Sequence, residues 1–507
     1  MTVVNTNVAA LSAQTSMMKN TKEMESAMAK LSSGHRINTA ADDAAGLSIS
    51  ERLESQITGL SQAIRNAEDA QNMIDTAEGA HSEIVTSLQR LRELAVQSNN
   101  ATNTAVDRSF IQKEATQLLN EINRISTNTE WNGMVLMDGS FDDKTIQVGA
   151  NIGQTIDVDL IDTQASATGN FVVRGSSKAK VVTNAAGNTV NTIAGGDTII
   201  AGFAGTSTIT AAAGDTAKEF AEDINGKSDD HGVSAKAATH ALLQTLSAAG
   251  TVDFALGKQG LYGTGDATQV TVTATISDTT DLSALRDAIN EVSGSTGVTA
   301  SFLDGDVGKV MLKDHDGDDI SITNFNHTTT SGTISITAYD FFGDSIGGAT
   351  AQTLTDGGVT DSTNVSGEVQ LSSKQAFAVT STVADDFFGN SGSSDTAYQS
   401  SLEKVGDIDL GSRVGAAKAL DVIDGAIDMI NTQRSDLGAV SNRLDKTINN
   451  LSNVVENTSE SRSHIKDANF AAETSKLTKA QILNQAATSM LAQANASKQT
   501  VLALLQN

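Results

Sequence analysis

Apolar residues spaced alternately by four and three, in long runs near both ends of the chain, constrain the fold more than any other feature. The first run is Leu53, Ile57, Leu60, Ile64, Ala67, Gln71 and Ile74, resuming past Gly79 as His81, Ile84, Leu88, Leu91 and Ala95. A shorter one reads Ile111, Ala115, Leu118, Ile122 and Ile125. The longest covers more than five heptads: Ala416, Leu420, Ile423, Ile427, Ile430, Arg434, Leu437, Ser441, Leu444, Ile448, Leu451 and Val455. This spacing is the seam of a coiled coil. An isolated helix is marginal in water, so each face needs a partner. The nearest partners are one another, which predicts a chain that folds back into an antiparallel bundle of its N- and C-terminal helices. Ser32-Ser33-Gly34 stops the first helix, and Asp42 and Asp43 supply cap chemistry for a helix beginning near Ala44.

The outermost seams are thinner. Val4, Val8 and Leu11 are followed by Met17, Met24, Met28 and Leu31 in a shifted register, and methionine specifies packing weakly. At the other end Leu483, Ala487, Met490, Ala494, Ser497, Val501 and Leu504 place small residues where cores hold leucine. At about 25 cal/mol per Å² such positions fall short of a backbone ordering cost of roughly 1–2 kcal/mol per residue. Residues 1–40 and 466–507 are therefore expected to be disordered in a lone chain and to fold when many copies pack.

The chain of 507 residues contains neither Pro nor Cys, so it has no disulfide, thiolate metal site or Cys nucleophile. An average composition would give roughly 25 prolines. X-Pro bonds isomerise slowly and Pro breaks helices, so their absence suits a polypeptide threaded unfolded through a narrow channel. No secretory signal precedes the first helix and no apolar stretch approaches 18 residues, so no membrane contact is expected. A formal charge of −27 argues against a nucleic-acid partner.

Past Trp131-Asn132-Gly133 the helical period stops. Ile146-Gln147-Val148 and Ile156-Asp157-Val158 alternate around a Gly-containing turn, as in a β-hairpin. From 176 to 402 the texture is Gly, Ser, Thr and Asp, with strand-like runs such as 269–276. Ten basic residues face 27 acidic ones between 175 and 400. An internal repeat is offset by 65 residues: Asp223-Ile224-Asn225 leads to Gly232-Val-Ser-Ala235, and Ala288-Ile289-Asn290 leads to Gly297-Val-Thr-Ala300. Each copy reads as a short helix (218–225 and 282–290) followed by a strand. The fold class is multidomain: a long antiparallel α-helical coiled-coil bundle from both chain ends with a β-hairpin, plus a central β-rich (α+β) insertion.

Catalytic and metal signatures are missing. Asp314-His315-Asp316-Gly317-Asp318-Asp319 has carboxylates at relative positions 1, 3 and 5, but Asp319 and Phe325 stand where an EF-hand needs Gly and Glu, so it reads as a polar β-turn. The sequence holds no HExxH, phosphate loop or nucleophile elbow. No enzyme, cofactor or metal is expected. His81, on a seam, reads as an interior residue. On the long helix, beside Gln89, the residues Arg90, Glu93, Leu94 and Gln97 share a face outside the Leu91–Ala95 seam, and an exposed Leu94 there would suit packing against another copy.

Leu31-Ser-Ser-Gly-His-Arg-Ile-Asn38 followed by Asp42-Asp-Ala-Ala-Gly-Leu-Ser-Ile-Ser-Glu-Arg-Leu53 resembles the N-terminal signature of bacterial flagellin. Leu88-Gln-Arg-Leu-Arg-Glu-Leu-Ala-Val-Gln97, Ala480-Gln-Ile-Leu483, Met490-Leu-Ala-Gln-Ala-Asn495 and Val501-Leu-Ala-Leu-Leu505 are similar to later family motifs, so that residues 1–175 and 403–507 are covered. The 65-residue repeat resembles an insertion motif of the same family. The resemblance implies an extracellular flagellar filament subunit, exported unfolded by the type III apparatus and added at the distal tip. Residues 1–43 and 462–507 would form an inner tube, with Val4, Val8, Leu11, Met28, Leu31, Leu483, Met490, Val501 and Leu504 as its seam. Residues 44–175 and 403–461 would form an outer tube, and 176–402 a surface insertion of two subdomains. Implied partners are other copies, an export chaperone, the filament cap and the hook-filament junction protein. The face contacted by the animal Toll-like innate receptor matches Gln89, Arg90, Glu93, Leu94, Gln97, Ile111 and Glu114, with Leu118 where the recognised type often has Arg. A hook-filament junction protein of the same axial family is the alternative; a surface adhesin would not need the terminal seam.

Overall fold

The computed structural model describes residues 6–175, 191, 193, 195–259, 269–303, 305–329, 332–346, 351–357, 360–382, 387–388 and 396–505. Its helices are α1 (Val8–Ser33), α2 (Ala44–Asn99), α3 (Ala105–Asn128), α4 (Ala217–Asn225), α5 (Ser228–His231), α6 (Ser283–Glu291), α7 (Ser293–Thr296), α8 (Arg413–Lys466) and α9 (Phe470–Leu505). The residues group into two compact units, Met1–Asp75 with Asp143–Asp159 and Leu437–Asn507, and Thr76–Asp142 with Leu160–Asp436.

In the first unit α1 and α9 run antiparallel. Asn7 Nδ2 donates to Ala494 O (3.2 Å), Asn484 Nδ2 to Thr21 Oγ1 (2.9 Å), and Ala468 N to Gly34 O (2.9 Å). Gly34 stops α1 in the left-handed region at φ 72°, a conformation that costs glycine little. The Asp43 carboxylate accepts from Gly46 N (2.9 Å) at the start of α2, and Asp42 accepts from Asn38 N and Thr39 N. Further along, Leu60 and Ala63 of α2 bury against Leu451 of α8, flanked by Ile64, Val454 and Val455. The expected hairpin is present: Lys144–Gln147 pairs with Thr155–Val158, Ile146 opposite Ile156.

The long helical segments of the second unit are residues 76–99 of α2, α3 and residues 413–436 of α8. Their seams close on Ala77, Ile84, Leu88, Leu91, Ala95, Ala115, Ile122, Ala416, Ile423 and Ile430, all buried. A capping box starts α3, Thr104 and Asp107 each satisfying the other's backbone N–H. Between helices and across the solvent edge, Arg92 binds Asp424 (2.6 Å) and Arg434 binds Glu78 (2.7 Å).

The remainder of this unit is β-rich, and every pairing among its described strands is antiparallel. The eleven-residue strand Ser234–Gln244 organises it. Its first half pairs with Glu368–Ser373, its second half with Asp306–Asp314 on one side and Thr333–Tyr339 on the other. Two apolar cores result. Phe220, stacked on Phe387 at 4.7 Å, centres one; Phe254, Leu285 and Phe325 lie in the other.

The 65-residue repeat is a structural one. Asn225 Nδ2 donates to Ala235 O (2.8 Å) and its Oδ1 accepts from Ala235 N (2.8 Å); Asn290 makes the same pair with Ala300 (2.9 and 2.8 Å). Gly232 and Gly297 both turn the chain at positive φ, 72° and 70°. Helix, brace, turn and strand therefore recur, with Phe220 and Ile224 replaced by Leu285 and Ile289 at equivalent buried positions.

Candidate functional site

The residues expected to meet other molecules lie in two places. On α2 and α3, Gln89, Arg90, Glu93, Gln97 and Glu114 are exposed. Arg90 is clamped: its Nη2 lies 2.7 Å from Glu114 Oε1 of α3 and its Nη1 lies 2.8 Å from Glu93 Oε2 one turn on. Both hydrogen bonds, Glu93 first, hold the guanidinium more firmly protonated than usual. These are exposed pairs, so they fix the guanidinium's direction more than they stabilise the fold.

Leu94 departs from expectation. It is 1% exposed, and Ile111 beside the same face is buried too. A 4-3 seam describes a helix with one partner. Here α2 contributes to a core shared with α3 and α8, which widens its apolar arc to take in Leu88, Leu91, Leu94 and Ala95 together. Leu94 and Ile111 form the floor of the face; Leu118 is half-buried at its border. Unforeseen are Val96, Val106 and Phe110, each more than half exposed at the end of α2 and the start of α3. The cue lay in the sequence: Val96 and Phe110 adjoin the seam residues Ala95 and Ile111 and cannot share their direction.

The second place is the α1–α9 pair. Only Ala27, Glu473, Ala480 and Ala487 of the described side chains on these helices are buried. The seam residues Val8, Leu11, Met28, Leu483 and Met490 are instead exposed, by 39–65%, and Leu31 is half-buried. Met18, Phe470 and Ile482 are exposed as well. Val4 lies outside the described residues, as do the side chains of Val501 and Leu504. So many large apolar side chains exposed on one helix pair mark an interaction face.

The acidic turn at 314–319 is filled by the chain itself. Asp314 Oδ1 accepts from Asp316 N (2.8 Å) and Gly317 N (3.1 Å), an Asx-type turn. Lys258 Nζ sits 2.5 Å from Asp314, 3.1 Å from Asp318 and 3.6 Å from Asp316, where a cation would be held, and Lys218 lies 3.4 Å from Asp318. No helix among the described residues is long and apolar enough to cross a membrane.

Two helical ends that present apolar faces, joined through a β-rich insertion, define a subunit of an assembly. The chain matches the family descriptions "Bacterial flagellin N-terminal helical region" over residues 4–142, "Bacterial flagellin C-terminal helical region" over 420–505 and "Flagellin hook IN motif" over 261–314, which contains the second repeat copy. It is 38% identical to B-type flagellin of Pseudomonas aeruginosa and 35% identical to flagellin of Salmonella typhimurium, each alignment covering 99% of both chains. The solved structure of FliC from Burkholderia pseudomallei covers 74% of this chain and 99% of its own at 17% identity and a TM-score of 0.30. The chain belongs to the bacterial flagellin family, and is a structural subunit of the flagellar filament.

Proposed function

We propose that the chain is exported unfolded through the flagellar type III apparatus, escorted by an export chaperone, and added at the distal tip beneath the filament cap, distal to the hook-filament junction protein. Residues 1–43 and 462–507 become the inner tube, 44–175 and 403–461 the outer tube, and 176–402 the surface. The single observation that carries this reading is the exposed apolar seam of α1 and α9. A pair of helices that buries little more than three alanines is completed by further copies, and stays disordered at residues 1–40 and 466–507 until they arrive. Lack of Pro and Cys supports passage as an extended chain.

Electron microscopy of purified chain added to short filament seeds is the direct test. Long filaments made of this chain alone are expected; a short cap of subunits that stops growing would favour the junction-protein alternative. Strong amide protection across 1–40 and 466–507 in the monomer would refute order arising on assembly.

The exposed face of Gln89, Arg90, Glu93, Gln97 and Glu114, over Leu94 and Ile111, is also proposed as the surface met by the animal Toll-like innate receptor. Arg90, already aimed by Glu93 and Glu114, is the anchor. Replacing it with Ala should weaken the receptor-reporter response to monomer about tenfold, the scale of one interfacial charged hydrogen bond. A wild-type monomer that evokes no response would remove the proposal.

A further inference from the structure

The cations of the acidic insertion are not scattered. Of ten basic residues between 175 and 400, three, Lys218, Lys236 and Lys313, line one cavity of about 490 Å³, together with His315, Phe341 and Phe342. Two of the three are neutralised: Lys218 by Asp318 and Asp316, and Lys236 by Asp421 at 2.5 Å. Lys313 is different. It is half-buried and, among the described residues, its ammonium has neither an ion pair nor a hydrogen bond.

Its position follows from the sheet. Leu312 points into the core, so Lys313 points to the opposite face, opposite His240 across the strand pair. Arg413, the first residue of α8, acts on Lys313 with like charge, and Ala417 one turn later lines the cavity. Desolvation and Arg413 both depress the Lys313 ammonium's pKa, and no carboxylate offsets them. A half-buried, unpaired cation beside a second cation is costly unless something supplies the missing charge. The acids that do line the cavity, Glu222 and Asp316, are exposed at its edge.

The aromatic pair limits what that something is. Phe341 and Phe342 meet edge to face at 5.0 Å. Phe342 already carries Arg174 and Lys418 against its ring, whereas no cation covers Phe341 among the described residues. We propose that this cavity binds an acidic saccharide, its carboxylate or sulfate seated on Lys313 and the apolar face of its ring on Phe341. Such a site would give the surface of the filament a ligand in addition to its structural role.

Titration calorimetry of the full-length monomer at low ionic strength tests it with three probes: sialyllactose, uncharged lactose and inorganic sulfate. Sialyllactose should bind, lactose should not, and sulfate should bind about tenfold more weakly than sialyllactose because it forgoes the ring contact. Lys313→Gln should weaken sialyllactose about tenfold or more while leaving the melting temperature unchanged or raised, since it removes an unpaired buried charge. Phe341→Ala should weaken sialyllactose and leave sulfate unaffected. Absence of sialyllactose binding, equal binding of lactose, sulfate binding as tight as sialyllactose, or Lys313→Gln affinity equal to wild type would each overturn the proposal.

Discussion

A chain ending at Lys479 is expected to fold its β-rich unit and to fail entirely at extending filament seeds. The deletion removes Ala480 and Ala487, two of the few buried side chains between α1 and α9, and with them the exposed Leu483 and Met490. It leaves Thr76–Asp142 and Leu160–Asp436 intact. Sedimentation should give a monomer at all salt concentrations, and circular dichroism should keep the β contribution. A point variant separates lost assembly from lost folding. Met490 is 64% exposed in the single chain, so Met490→Glu should change monomer stability by no more than about 0.5 kcal/mol. Buried among copies, the same carboxylate would cost several kcal/mol. Seeded growth of Met490→Glu at the wild-type rate would show that this face is not an assembly face.

What the sequence made legible follows from the range of each interaction. Seams are periodic and local, so α2, α3 and α8 could be placed from Leu53 to Ala95, Ile111 to Ile125 and Ala416 to Val455. The repeat was legible because Asn225 and Asn290 each brace a strand ten residues on, within one motif. Leu94 was misjudged because a seam names one partner, and the second appears only when α3 and α8 are both in place. The occupant of the acidic turn was hidden for a similar reason. Lys258 lies 56 residues before Asp314, and no local pattern links them. Nor could the unpaired state of the Lys313 ammonium be read, since it depends on where the strands and α8 that surround it place their acids.

His81 is expected to make the helical part of the second unit sensitive to acid. It is fully buried, and neither ring nitrogen has a hydrogen-bond partner. Burial lowers its pKa from 6.5 to about 4; Glu78 opposes the shift and Arg434 of α8 adds to it. The folded state therefore holds the neutral ring, while the unfolded chain takes up a proton near pH 6.5. Stability from this group is complete above pH 6.5 and is lost as pH falls toward 4. A shift of this size corresponds to at most about 3 kcal/mol. Other buried groups act in the same range. Asp319 and Glu368, both raised by burial to about 7, bind protons on folding, so their contribution is present at low pH and lost as pH rises through 7. His240, lowered by burial to about 3, acts in the same sense as His81. Comparing wild type with His81→Leu cancels those contributions, because none of the three groups is changed. Unfolding followed by the single tryptophan, Trp131, which lies in the same unit, should give a stability gap in favour of the variant that widens by about 3 kcal/mol between pH 7.5 and 4. A gap that stays constant over that range would mean His81 is protonated as readily in the folded protein as in the unfolded one, and that its burial leaves water a path to the ring.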